Sequence, residues 1–393
     1  MNYFNYSKAI NNQQLPLAIV DLDILQQNLT DIIKRCEDRK IRIASKSIRS
    51  VEMLKYILNF SKQIQGIMCF TLEELNFLCE QNFDDLLLAY PDFQPNQLEK
   101  VALNIKNGKK ITLMVDLENH LDVLNNLAKK HNIIIPICMD LDMSSTIFGI
   151  YFGVYRSAIK TKSNITEFLK ILSKYPNLKL NGLMGYEAQI AGVGDNLNNQ
   201  YFKNFVVKLL KKISVKEIAI RRHEAVHTIE KILGYKLEIV NGGGTGSIES
   251  TLKEKCITEV TVGSGIYSSH LFDNYVAFKH KPSAFFAIQI TRNPSQNIYT
   301  AHGGGYIASG STEVIKAPKP YLPEGMHLLK NEGAGEVQTP LFYKGKLEIG
   351  SPVFFRHAKA GELCERFNEL TIISNNKIVD CFKTYRGEGK AFL

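Results

Sequence analysis

Tryptophan is absent from the 393 residues, proline is scarce at 12, and the 7 cysteines never form a CxxC pair. That odd, scattered set (Cys36, Cys69, Cys79, Cys138, Cys256, Cys364 and Cys381) makes neither a disulfide framework nor a zinc motif, and reads as the reduced thiols of a cytoplasmic protein. No stretch approaches the ~18 uninterrupted apolar residues of a membrane helix, and the opening MNYFNYSKAINNQQ lacks the apolar core of a signal peptide. Charge of one sign is not concentrated either. An excess of 48 Lys+Arg over 39 Asp+Glu gives +9, but the basic residues fall in isolated pairs such as Lys109–Lys110 and Arg221–Arg222. Without a block of about five or six like charges, neither a nucleic-acid arm nor a polybasic membrane anchor is expected. A hydrophobic fraction of 45% with 22% charged residues excludes disorder and coiled coil.

What is present is an alternation of periods from about residue 15 to 270. Short apolar runs recur at Ile41–Ala44, Gly66–Cys69, Leu86–Ala89, Ile111–Val115, Ile135–Met139, Leu180–Met184, Leu237–Val240 and Val260–Val262. Between most of them lie segments with helical spacing, among them Leu72–Cys79, Gln97–Ile105, Leu121–His131 and Ile165–Leu172. The longest predicted helix is Val215–Leu233, with Ser214 to cap it and Gly234 to end it. Strands alternating with amphipathic helices imply parallel βα units. Eight of them in about 250 residues predict a closed (β/α)₈ TIM-type barrel rather than an open doubly wound sheet.

After residue 272 glycine and proline become dense, and alternating runs replace helical ones: Ala284–Thr291, Ile298–Ala301, Leu347–Phe355, Glu369–Ser374 and Ile378–Tyr385. The expected organisation is α/β, with a barrel over 13–271 and a C-terminal all-β domain over 272–393, on which residues 1–12 pack.

A parallel barrel places its active site at the C-terminal ends of the strands and binds phosphate in the loops after strands seven and eight. Both loops here are glycine-rich, Asn241-Gly-Gly-Gly-Thr-Gly-Ser247 and Gly263-Ser-Gly-Ile-Tyr267. Glycine lets the backbone approach an anion and turn its N–H groups inward. Strand one ends at Lys46, and in a closed barrel strand one adjoins strand eight. Partial desolvation there favours a neutral amine able to attack a carbonyl. Lysine and phosphate cup together point to a phosphorylated carbonyl compound held as a Schiff base, either pyridoxal phosphate or a sugar phosphate.

Val20-Asp-Leu-Asp23 and Ile43-Ala-Ser-Lys46-Ser47 resemble the start of the alanine-racemase-type (fold type III) barrel of pyridoxal 5'-phosphate (PLP) enzymes. Leu183-Met-Gly-Tyr186-Glu-Ala-Gln189 and the two glycine loops resemble the branch holding D-threonine aldolase and D-serine dehydratase, and a bacterial group described as amino-acid aldolase, deaminase or racemase-like. The resemblance implies Lys46 as Schiff-base lysine and candidate base at the substrate α-carbon. It implies that Gly243, Gly244, Thr245, Gly246 and Ser247, with Gly263, Ser264, Gly265, Ile266 and Tyr267, hold the cofactor phosphate, and that Tyr186 lies against cofactor or substrate. Val353-Phe-Phe-Arg-His357 falls where that branch carries a metal-binding histidine, so His357 is the candidate ligand of a divalent metal or a proton carrier.

The chain departs from the pattern at Lys359, where the branch has a second metal ligand; Glu362 and Cys364 lie nearby at other spacings. An arginine expected after strand five falls on Thr146, with Arg156 close behind. His302 and the pair Asp140 and Asp142 are weaker candidates. The function implied is a lyase, aldolase or dehydratase, acting on a small D-configured or β-hydroxy amino acid in a homodimer whose β domains close the partner's barrel. An amino-acid racemase, a non-catalytic PLP carrier and a PLP-free Schiff-base aldolase stay open.

Overall fold

The computed structural model of the chain describes residues 2–310 and 313–393. Eight parallel strands, Lys40–Ala44, Ile64–Cys69, Leu86–Leu88, Ile111–Val115, Ile135–Asp140, Leu178–Met184, Ile239–Gly242 and Glu259–Val262, close into a barrel. The last pairs with the first through Val260↔Ile41 and Val262↔Ile43. Strands such as Ile111–Val115 are buried along their whole length, which is why they read as unbroken apolar runs. Met68, Leu87, Met114, Cys138, Met184 and Ile239, from six successive strands, fill the barrel interior. Its remaining sector is polar. There Arg42 on strand one pairs with Glu259 on strand eight at 2.7 Å and reaches Asp85, while Asn241 donates to Glu259 at 2.8 Å. Arg42 and Glu259 are both buried, so each charge depends on the other for its solvation.

Local signals set the helix ends. Ser50, Thr71 and Thr161 accept the N3 amide at the starts of their helices, and Thr161 forms a reciprocal box with Asn164. Gly234 ends the longest helix in the left-handed region, at φ +76°. That helix runs over Tyr201–Leu233 and does not begin at Ser214, which lies buried within it, bonded to Ser145 and Gln189. Exposed Phe202 and Phe205 alternate with buried Val207 and Leu210, so the first half carries no single apolar stripe to announce itself.

The second sheet has nine strands among the described residues, with Ala284–Ser295 at its centre. On one flank lie Ile298–His302, Gln338–Phe342 and His327–Leu328; on the other, Leu17–Asp21, Glu369–Ser374 and Lys377–Lys383. Pro352–Arg356 also pairs with the central strand, so the expected run Leu347–Phe355 is strand only in its second half. Leu17–Asp21, which the sequence pattern grouped with the barrel, runs antiparallel to the central strand and parallel to Glu369–Ser374. Five wholly buried residues look the same in either sheet. The helix Tyr3–Ala9 packs here, Tyr6 donating to Asp21 at 2.7 Å. No helix among the described residues is long and apolar enough to cross a membrane.

Candidate active site

Strand one turns sharply at Ser45–Ser47, and the Lys46 side chain extends into a cavity of about 670 Å³ at the C-terminal mouth of the barrel. Its turn is clamped from the β domain. Arg49, held at φ +51°, donates Nε–H to the Lys46 carbonyl at 3.0 Å and pairs with Glu365. A side chain other than hydrogen at Gly361 would place its Cβ 1.8 Å from that same carbonyl oxygen. A non-glycine residue at positive φ persists only where its surroundings over-determine it, and here three contacts do so: Lys46, Glu365 and the Tyr385 amide on the Arg49 carbonyl.

Lys46 Nζ donates to the Tyr90 hydroxyl at 2.9 Å. Arg156 also approaches that ring, 5.3 Å from its centre, and lies 5.1 Å from the centre of Tyr186. Burial pushes the Tyr90 phenol upward, but Lys46 and Arg156 together outweigh it and hold the group below its ordinary value. Tyr186 goes the other way, to about 12, because burial exceeds the pull of Arg156. Thus Arg156 reaches the cavity, whereas Thr146 stands exposed on the outer hairpin Ser145–Ile147 and Ile150–Phe152. Asp140, at the end of strand five, is buried and raised to about 7 by that burial.

The two glycine loops lie side by side. Gly265 N–H donates to Thr245 Oγ1 at 3.1 Å, and Ser264 Oγ meets Ser47 Oγ at 2.9 Å, tying the cup to the lysine turn. Gly243 needs its positive φ of 83°, and at Gly265 a Cβ would come within 2.2 Å of Thr245. Behind the loop sits Glu187, almost wholly buried. It accepts from Gly243 N–H at 3.0 Å, from Ser247 Oγ at 3.0 Å and from Thr251 Oγ1, and pairs with the fully buried Arg222 at 2.9 Å. Arg35 fixes the outer side by donating to the Thr245 carbonyl at 2.7 Å. The amides of Thr245, Gly246 and Ser264 have no acceptor among the described residues, and inward-turned amides of this kind can bind an anion.

Gly243, Gly244, Thr245, Gly263 and Ser264 line the cavity with Lys46 and Tyr186. Ser247 stands behind the loop, its hydroxyl taking the Gly244 N–H and giving its own proton to Glu187. Ile266 is buried, and its carbonyl accepts from Asn28 and Ser283. Tyr267 is buried too, with its hydroxyl on the Ile48 carbonyl at 3.3 Å. Sequence reasoning overlooked Tyr90, Glu187, Arg222 and Arg35.

His357 is buried, its Nδ1 engaged with the backbone of Lys359, and burial lowers its basicity. Lys359 extends its ammonium to Ser309 at 2.7 Å and to Glu362 at 3.2 Å, and Glu362 in turn holds the Ser309 amide. Cys364 gives its S–H to Ile48, and burial raises its thiol to about 12. A cation at the second-ligand position, a committed carboxylate and a protonated thiol do not fit a divalent metal at His357; among the described residues no group of three or more His, Cys, Asp or Glu is placed to hold one. His302 is exposed on its strand, and Asp142 caps the Ser144 amide at 2.8 Å.

The family described as alanine racemase, N-terminal domain, matches residues 20–270. A 3-hydroxy-D-aspartate aldolase of Paracoccus denitrificans (strain Pd 1222) is 25% identical over 253 residues, 64% of this chain and 59% of that protein, so the chain spans under two thirds of its relative's length. Two solved structures share the fold. D-threonine aldolase from Filomicrobium marinum superposes with a TM-score of 0.77 at 14% identity, covering 95% of each chain. D-threo-3-hydroxyaspartate dehydratase from Delftia sp. HT23 gives 0.77 at 14% identity, over 96% of this chain and 98% of its own.

Proposed function

The chain belongs to the family of the alanine racemase N-terminal domain, and from that premise we propose that it is a PLP-dependent lyase, aldolase or dehydratase, acting on a small D-configured or β-hydroxy amino acid. One observation carries the reading: a single cavity is bounded on one side by the Lys46 amine and on the other by glycine-loop amides that have no internal acceptor. The curated aldolase and the two structural neighbours act on β-hydroxy D-amino acids by their names, which favours a lyase over a racemase.

The residues present fit the cofactor. Lys46 would hold its aldehyde carbon, the amides of Thr245, Gly246 and Ser264 its phosphate, and Tyr186 with Arg156 would flank its ring. Bound there, PLP supplies an electron sink for charge that develops at the substrate α-carbon. The protein does the rest. Lys46 Nζ carries a proton to and from that carbon. The guanidinium of Arg156 makes the mouth a place for a carboxylate. The β-domain turn from Ala358 to Glu362 covers the cavity and limits water. No step is assigned to a metal, since the His357 surroundings do not fit one.

Incubating the purified chain with a panel of D- and L-amino acids, and scoring aldehyde, keto acid and inverted enantiomer separately, tests this. A yellow protein that yields aldehyde or keto acid from a D-β-hydroxy acid is the expected result. Inversion alone makes it a racemase, turnover by a colourless protein makes it a PLP-free aldolase, and a yellow protein without turnover makes it a carrier.

Exposed Tyr155 adjoins the cavity-lining Arg156 in the chain, and exposed Tyr201, Phe202 and Phe205 alternate with the cavity-lining Lys203 and Val207, a density of bare aromatics that favours coverage by a second copy. Phe202→Asp and Phe205→Asp together are expected to convert a dimer to a monomer in sedimentation; a wild-type monomer at working concentration would remove this part of the reading.

A further inference from the structure

We propose that Tyr90 is a catalytic residue of this site: its phenolic oxygen exchanges a proton with Lys46 Nζ during turnover. The inference rests on Lys46 being the reacting amine, as argued above, and deepens that reading.

The geometry is specific. Tyr90 follows strand three and Lys46 follows strand one, so barrel closure brings two rim positions together across the end of strand two. Nζ donates to Oη at 2.9 Å while lying 5.5 Å from the ring centre, which places the ammonium at the hydroxyl edge of the ring. Three groups face the phenol: Lys46 from the strand-one turn, Arg156 from the loop after the outer hairpin, and Tyr186 from the end of strand six. Two are cations, and neither Arg156 nor Tyr186 is a base at neutral pH. A phenol beside two cations gives up its proton more readily than one in water, despite burial.

A lysine that must attack carbon, and later take a proton from it, needs a nearby group to relieve it of its ammonium proton. Tyr90 Oη is the side-chain acceptor that Lys46 Nζ already meets. In the forward step the Nζ–H bond breaks and an Oη–H bond forms, so ammonium and phenolate become amine and phenol; the reverse step restores both. No other reactant is required. Proton transfer by a positioned group contributes about 10²–10⁴-fold to rate.

Tyr90→Phe keeps the ring and deletes the oxygen. In the chain freed of cofactor, ultraviolet difference titration of tyrosinate is expected to find one tyrosine ionising below the ordinary range, absent in Tyr90→Phe and shifted upward in Lys46→Met. In the loaded enzyme, Tyr90→Phe is expected to retain the cofactor absorbance and to lose about 10²–10³-fold in kcat. The rise of kcat/KM with pH that marks conversion of Tyr90 to its base form should vanish with it. A titration lacking the early tyrosine, or a Phe variant whose kcat and pH profile match wild type, overturns the proposal. A wild-type chain that takes up no cofactor defeats the functional reading instead, and the titration still decides whether Tyr90 and Lys46 share a proton.

Discussion

Lys46→Ala is expected to abolish turnover, by more than about 10⁴-fold, while the protein stays folded. Proton transfer alone accounts for about 10²–10⁴-fold, and the covalent hold on the cofactor disappears with the same atom. Stability should change little, since the side chain extends into the cavity and Tyr90 is its polar partner; substitutions away from packed features stay within ~0.5 kcal/mol. The turn itself is held by backbone, with Arg49 Nε–H on the Lys46 carbonyl and the Ile48 and Arg49 amides on Ser45. Three measurements separate the outcomes. The near-visible absorbance of wild type should be missing, thermal unfolding should be unchanged, and an added small primary amine should restore part of the rate. Undiminished turnover would remove Lys46 from the chemistry, and a collapsed melting curve would mean that the loss of activity reports folding.

The barrel was legible because fully buried strands leave unbroken apolar runs, and the lysine and both glycine loops were legible because each directly follows such a run. Other parts of the site had no such mark. Tyr90 closes the run Leu86–Ala89 as one more apolar-looking residue, and only closure of the barrel turns it toward Lys46. A rule that the residue after every barrel strand faces the mouth would have found it. Glu187 stood inside the motif Leu183–Gln189, but a charged residue reads as solvated until its partners are known, and these come from residues 222, 243, 247 and 251. Arg35 belongs to the helix Leu22–Arg35 and reaches a loop more than two hundred positions away. The strand Leu17–Asp21 was not singled out as a strand and fell within the segment 13–271 assigned to the barrel, since partner choice lies in register and not in composition.

Glu187 governs how firmly the proposed phosphate cup is built. Two opposing effects follow its removal. Deleting a carboxylate behind an anion site should favour the anion, but Arg222, at 2.9 Å and shared with Glu254, already offsets part of that charge, so the gain is partial. Against this, the Gly243 amide and two hydroxyls lose a charged acceptor, each such bond being worth about 1.5–3 kcal/mol. Loop order therefore wins, and Glu187→Ala is expected to weaken PLP retention by about 10–100-fold, one such bond converted at ~1.4 kcal/mol per tenfold. Arg222 keeps Glu254 and the Gly185 carbonyl, so no unpaired charge is left buried, and stability should fall by about 1.5–3 kcal/mol, the worth of a lost charged hydrogen bond. Glu187→Gln, which keeps an oxygen for the Gly243 amide, is expected to fall between. Comparing PLP with pyridoxal, which lacks the phosphate, distinguishes a damaged cup from a damaged protein: retention of PLP should drop steeply and that of pyridoxal little. Equal losses for both would show that Glu187 supports the barrel as a whole rather than the loop that faces the anion.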